Sequence, residues 1–192
     1  MIMRKALFFS CMVLSGIGAT EALAADPPLL AAFKQFCVNT QANPDAVKNA
    51  ALVFSGKKVA TAATNKKAPV SAAGNTWSFV FQGHHLMVTS GTLHAPAAGK
   101  MPATDSVTCA ITDSDGDNAG ASAIGAWAGV PASAEVSSIF GTYTYQDKNG
   151  THAPVKAAET AVKEPEGLWN LTLSQIGKLT AVNLAHVTAA NH

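Results

Sequence analysis

Cys37 and Cys109 constrain this chain most, because a bridge between them would tie the start of the fold to its middle across about 70 residues. Whether they oxidise depends on the compartment, and residues 1–25 speak to that. Arg4 and Lys5 form a short positive region, Ala6 to Ala19 an apolar run, and Ala22-Leu23-Ala24 a small-x-small cleavage motif, which together read as a cleavable signal peptide. Ser10, Ser15 and Gly16 interrupt the run and Thr20-Glu21 closes it, whereas a membrane anchor needs about 20 apolar residues. Cys11 follows Phe8-Phe9-Ser10, lacks the small residues that precede a lipidated cysteine, and leaves with the signal. The expectation is a mature chain of residues 26–192, one domain in the periplasm or secreted, with no stable membrane anchor after cleavage and a Cys37–Cys109 disulfide.

Cleavage also removes Arg4, the one arginine of the sequence, together with Lys5 and Glu21, and leaves eleven lysines against eleven carboxylates. Without the planar fork of arginine, bidentate recognition of phosphate or of guanine edges is disfavoured, so no nucleic-acid partner is expected. Lys57, Lys58, Lys66 and Lys67 cluster in one polar stretch that reads as a solvated loop. Neither Gly-x-x-x-x-Gly-Lys-Ser/Thr nor Gly-x-Gly-x-x-Gly occurs, which disfavours nucleotide cofactors.

Hydrophobic spacing orders the elements. Leu29, Leu30, Phe33, Phe36 and Cys37 recur at three and four, one helical face with Cys37 inward. Asn43 as N-cap, Pro44 and Asp45 start a second helix, which carries Val47, Ala50, Ala51 and Phe54 inward and ends at Gly56. Lys57 to Asn75 reads as a loop with a short strand near Val59. Trp77, Phe79 and Phe81 alternate, then Gly83-His84-His85 and Leu86, Met87 and Val88 follow, as in a β-hairpin. Val107, Cys109 and Ile111 share one strand face, and a third helix runs over Ala119 to Trp127, stopped by Gly129. Ile139 to Gln146 reads as a strand before an Asn149-Gly150 turn, Thr151 to Gly167 as a loop or short exposed helix, and Leu168 to Val187 as a hairpin about Gly177. The fold class is α+β: an antiparallel sheet of about six strands packed by two N-terminal helices and one crossover helix.

Chemistry-bearing residues are few. Asp113-Ser114-Asp115-Gly116-Asp117 alternates three carboxylates, a set of oxygen ligands that could hold calcium, but the spacing departs from an EF-hand and equally describes a turn before a helix. His84 and His85 are the candidate catalytic pair, able to act together only from a turn, since strand neighbours point to opposite faces. No His-Glu-x-x-His, Gly-x-Ser-x-Gly or Cys-x-x-Cys motif occurs. Trp77, Trp127 and Trp169 lie on apolar periodic faces and read as core. If they gathered at a sheet edge with Tyr143 and Tyr145, they would line a ligand groove.

With Phe33-Lys34-Gln35-Phe36-Cys37 before a Pro44-initiated helix, and Leu168-Trp169-Asn170-Leu171-Thr172 before the last strand, the chain resembles small exported proteins of Gram-negative bacteria whose function is not known. The resemblance implies a periplasmic setting and carries over no catalytic residue. The expected function is a non-enzymatic exported domain that binds an envelope protein, a peptide or a small apolar ligand. The competing expectations are a metal-dependent or histidine-based hydrolase on His84, His85 and the aspartate turn, and a calcium-stabilised structural protein using Asp113, Asp115 and Asp117.

Overall fold

A computed structural model describes residues 25–54, 57–59, 71–137 and 140–190. The expected export signal up to Ala24, Gly56, Lys66, Lys67 and Ile139 lie outside the described residues.

Helix α1, Pro28–Phe33, starts on proline, whose missing N–H costs nothing in a first turn, and runs directly into a π-helical turn, Lys34–Val38. The wider turn is visible in the Asn39 N–H donating to the Lys34 carbonyl, five residues back, at 2.8 Å. Phe36 and Cys37 are both fully buried there. A second five-residue bond, Ala42 N–H to Cys37 carbonyl at 2.8 Å, closes the connection to α2, Pro44–Val53. In that connection Gln41 and Ala42 hold positive φ of 52° and 54°. Asn43 caps α2 by accepting the N–H groups of Asp45 and Ala46 at 3.1 Å.

The strands are β1 Lys57–Val59, β2 Ser71–Phe81, β3 His84–Ala95, β4 Thr104–Asp113, β5 Ala134–Ser137, β6 Phe140–Lys148, β7 Thr151–Pro154, β8 Leu168–Ile176 and β9 Leu179–Ala189. Helices α3, Asn118–Ala128, and α4, Ala158–Ala161, interrupt them. All nine described strands form one antiparallel sheet ordered β1-β2-β3-β4-β9-β8-β6-β5, with β7 also paired to β6. The tight turns are chemically specified: Gln82-Gly83 and Asn149-Gly150 each place two consecutive residues at positive φ, the hairpin geometry that Asn-Gly favours.

Register aligns the core. Val88, Ile111, Val182 and Leu173 sit side by side on β3, β4, β9 and β8, all buried beneath the helices. One row on, Cys109 meets Cys37 in a disulfide with Cα atoms 5.4 Å apart, stapling the first helical segment to the sheet centre as expected. Phe36 packs among Phe54, Phe79 and Phe81, with ring centroids 4.9 to 5.8 Å away. At the α1–α3 crossing Gly120 is required, since a Cβ there would fall 2.7 Å from the Leu29 Cβ.

The antiparallel α+β architecture, the two N-terminal helices and the crossover helix are as the spacing predicts. The strand count is larger, because β1, β5 and β7 are strands of three or four residues, too short to show a period of two; β2 also begins six residues before Trp77, in a stretch of Ala, Gly and Asn. Thr151 to Gly167, expected as a loop or a short exposed helix, holds strand β7 and the short helix α4, which is not exposed at its end. Ala161 and Val162, at the end of α4, are buried with Leu168 in a second small core that Met101, Val155 and Val187 flank. Leu168 and Val187 pair across β8 and β9 and alternate away from the main core, so this cluster covers the other face of the sheet.

Replacing Cys37 and Cys109 together with alanine should lower the unfolding free energy by about 4 kcal/mol, the chain-entropy value for a loop of this length. Urea unfolding compared with the oxidised protein measures it, and an unchanged midpoint would show that helical packing alone holds α1 on the sheet.

Candidate functional site

The sequence candidates converge at one end of β3 and β4. His84 and His85 open β3 instead of occupying the turn, so their rings point to opposite faces and each finds its own carboxylate. His84 Nδ1–H donates to Asp113 Oδ2 at 2.9 Å, and Asp113, at the end of β4, is fully buried. The second Asp113 oxygen accepts the Asp115 N–H at 2.8 Å, which folds the chain back over the strand end. Asp115 Oδ2 accepts both the backbone N–H of His85 at 2.6 Å and its ring Nδ1–H at 3.0 Å. These bonds, the backbone one foremost, hold the Asp115 carboxyl below its usual pKa. Ligand atoms of His84, Asp113 and Asp115 all lie within 4.8 Å of one another.

Asp117 stands apart from that group. It caps α3, with Oδ1 accepting the Gly120 N–H at 2.7 Å, while Oδ2 accepts the Leu29 N–H from α1 at 3.1 Å. Both carboxylate oxygens serve orphan N–H groups of helix first turns, so the three alternating aspartates do not act as one oxygen cage. His94, by contrast, makes an exposed pair with Asp105 at 2.7 Å.

A second feature lies on the helix-bearing face, beyond the end of the helix pair. A cavity of about 350 Å³ is lined by Gln41, Asp147, Asn149, Gly150, Pro165, Glu166, Trp169 and His186. It shares Gln41, Asp147 and Trp169 with a recess of about 80 Å³ reaching Trp127, Tyr145 and His152. Its floor is the Trp169 indole stacked on the His186 imidazole, centroids 4.3 Å apart and planes 8° from parallel. The imidazole is fixed by Nε2–H donating to the Glu166 carbonyl at 3.0 Å. Behind it, Tyr145 stacks on His152 at 4.1 Å, and the His152 Nδ1–H donates to the Ala128 carbonyl at 2.8 Å. Burial, with Asp147 adding to it, pushes the Tyr145 phenol well above its usual pKa, so it stays a neutral O–H. A third cavity, about 450 Å³ and largely apolar, runs past Val80, Met87, His85 and Ser114 at the β2–β3 hairpin.

Trp77 is core, and Trp127 and Trp169 pack half-buried against it as the core reading expects; these two and the buried Tyr145 also line the smaller recess, but Tyr143 and Trp77 do not, so the gathering with both tyrosines is met only in part. Sequence reasoning missed Gln41, Asp147, Glu166 and His186. One signal was available: seven residues back along each strand from the Ile176–Leu179 pair beside the Gly177 turn, Trp169 faces His186. Searches of family models, curated proteins and solved structures return no match to this chain.

Two outcomes follow from this geometry. An Asp117→Ala substitution removes a cap and leaves a buried Leu29 N–H unpaired, so chemical denaturation should show a loss of about 2–4 kcal/mol. Because the folded state holds the Asp115 carboxyl low, its stabilising contribution is complete above the usual carboxylate range and fades as pH falls below it. Carboxyl-carbon NMR titration should place its midpoint under 3.8 in the native chain and nearer 3.8 in His85→Ala.

Proposed function

We propose that this chain is an exported, non-catalytic binding domain whose ligand is a small organic amine with an apolar face, held in the Trp169–His186 groove. The observation that carries the reading is the composition of that groove: a stacked aromatic pair, the acidic residues Asp147 and Glu166, the amide residues Gln41 and Asn149, and no lysine among the lining residues, with Asp147 Oδ1 also accepting the Gly150 N–H at 2.7 Å. An aromatic face next to acidic groups suits a cation, through ring attraction and local negative potential together. A cavity of about 350 Å³ falls in the size range of small-molecule sites. The polar lining favours an amphipathic ligand over a purely apolar one.

Backbone strain points the same way. Gln41 and Ala42 both occupy the left-handed region without being glycine, at a cost of roughly 1 kcal/mol or more each, and Gln41 is the residue this conformation delivers to both cavities. Strain of this kind persists where a side chain must be aimed. Export to the periplasm or beyond rests on the signal pattern of residues 1–25 and accords with the disulfide.

Calorimetric titration with spermidine, and with a neutral hexose for comparison, tests the reading. Spermidine should bind with an affinity that falls as salt rises, and Trp169→Ala or Asp147→Asn should weaken it at least about tenfold, the equivalent of one lost cation contact of 1.4 kcal/mol. Gln41→Gly should raise the unfolding midpoint while weakening binding. Hexose binding without amine binding, or amine binding indifferent to Trp169, would overturn the assignment.

A further inference from the structure

We infer that His84, Asp113 and Asp115 form a binding site for a divalent transition-metal ion of the zinc class, independent of the aromatic groove. Three segments supply it: the first residue of β3, the last of β4 and the loop leading to α3. Their ligand atoms lie within 4.8 Å of one another. His84 Nδ1 and Asp113 Oδ2, 2.9 Å apart, are already spaced as neighbours on one ion. Two atoms each bonded at about 2.1 Å to a metal sit about 3.0 Å apart when cis in an octahedron and about 3.4 Å apart in a tetrahedron. An ion would take the place of the proton between them, with the Asp115 carboxylate drawn in from within 4.8 Å.

Burial supplies the separate reason to expect a cation. Asp113 is fully buried, and its one ion-pair partner among the described residues is a histidine, which is charged only when protonated. Buried carboxylates are paired or coordinate metals, and Asp113 Oδ2 faces a ring nitrogen that is itself a metal-ligand atom. A divalent ion would give Asp113 a full positive charge to face and take His84 Nδ1 as a second ligand. Asp115 completes the set from the exposed side. Its Oδ2 is steadied by the His85 N–H and ring, as ligating carboxylates are by their outer partners, while Oδ1 has no hydrogen bond among the described residues.

The donor set selects the metal. Calcium takes oxygen ligands throughout, six to eight of them, whereas one imidazole with two carboxylates suits zinc, cobalt or manganese. With Asp117 committed to the helix caps, too few oxygens remain for a calcium cage.

The test uses the full mature chain, stripped with chelator and titrated with Zn²⁺, Co²⁺ and Ca²⁺ by calorimetry, with Co²⁺ followed by its visible absorption. One Zn²⁺ and one Co²⁺ should bind per chain more tightly than Ca²⁺, and Zn²⁺ should raise the melting midpoint. Asp115→Asn, at an exposed position, should weaken binding at least about tenfold, the lower end of what even outer-shell changes cost. His84→Gln should do the same, and either variant alone suffices as the readout if the other fails to fold. His94→Gln, at the exposed pair with Asp105, should leave binding unchanged. Absence of stoichiometric Zn²⁺ binding, tighter Ca²⁺ binding, undiminished binding in the folded variants, or loss through His94→Gln would each overturn the assignment.

Discussion

Docking of the N-terminal helical segment onto the sheet is the interaction on which the remaining features depend. Two contacts of different chemistry secure it: the Cys37–Cys109 bridge over the sheet centre and the Asp117 carboxylate, shared between the first turns of α1 and α3. The bridge acts mainly by restricting the unfolded chain, so it sets how readily the segment docks without dictating its angle. The angle comes from Asp117 and from Gly120, whose missing side chain lets Leu29 approach α3. Once α1 is placed, the π-turn and the strained Gln41-Ala42 connection follow, and these bring Gln41 over Trp169.

The same docking separates two polar regions that the sheet would otherwise leave equivalent. At one end of the helix-bearing face the strands run past the helices and expose aromatic rings beside carboxylates, with Trp169 and His186 as a stacked pair. At the hairpin end, His84 and His85 lie on opposite faces, and the chain leaving β4 wraps around the strand end so that consecutive acidic residues reach one histidine each. The difference in burial between Asp113 and Asp115 gives two carboxylates two residues apart unlike environments. One is enclosed and dependent on its partner, the other exposed and held by a backbone N–H.

Much of the fold was legible in the chain because its signals are local. Asn43-Pro44-Asp45 starts a helix through side-chain geometry that needs no distant partner, and Asn149-Gly150 takes its turn from two residues tolerant of positive φ. The disulfide was legible as well, since only two cysteines follow residue 25 and periodicity turned both inward. The short strands β5 and β7 were not, because four residues hold too few alternations to register a period. The burial of Ala161 and Val162 was hidden for a related reason: small residues in a four-residue helix acquire an inner side only when Leu168 and Val187 cover them.

The candidate sites divide along the same line. Sequence alone determined which side chains could carry chemistry, His84, His85 and the three aspartates, and it placed Trp169 and Tyr145 as conditional members of a groove. Only the tertiary structure decided that Asp117 spends both oxygens on helix N–H groups, that Asp113 is enclosed with a histidine, and that Gln41, Asp147, Glu166 and His186 meet around Trp169. The physical reason is range. Capping, turn and periodicity preferences act over a few residues, whereas burial and convergence depend on strand order and on the register of residues more than a hundred positions apart in the chain.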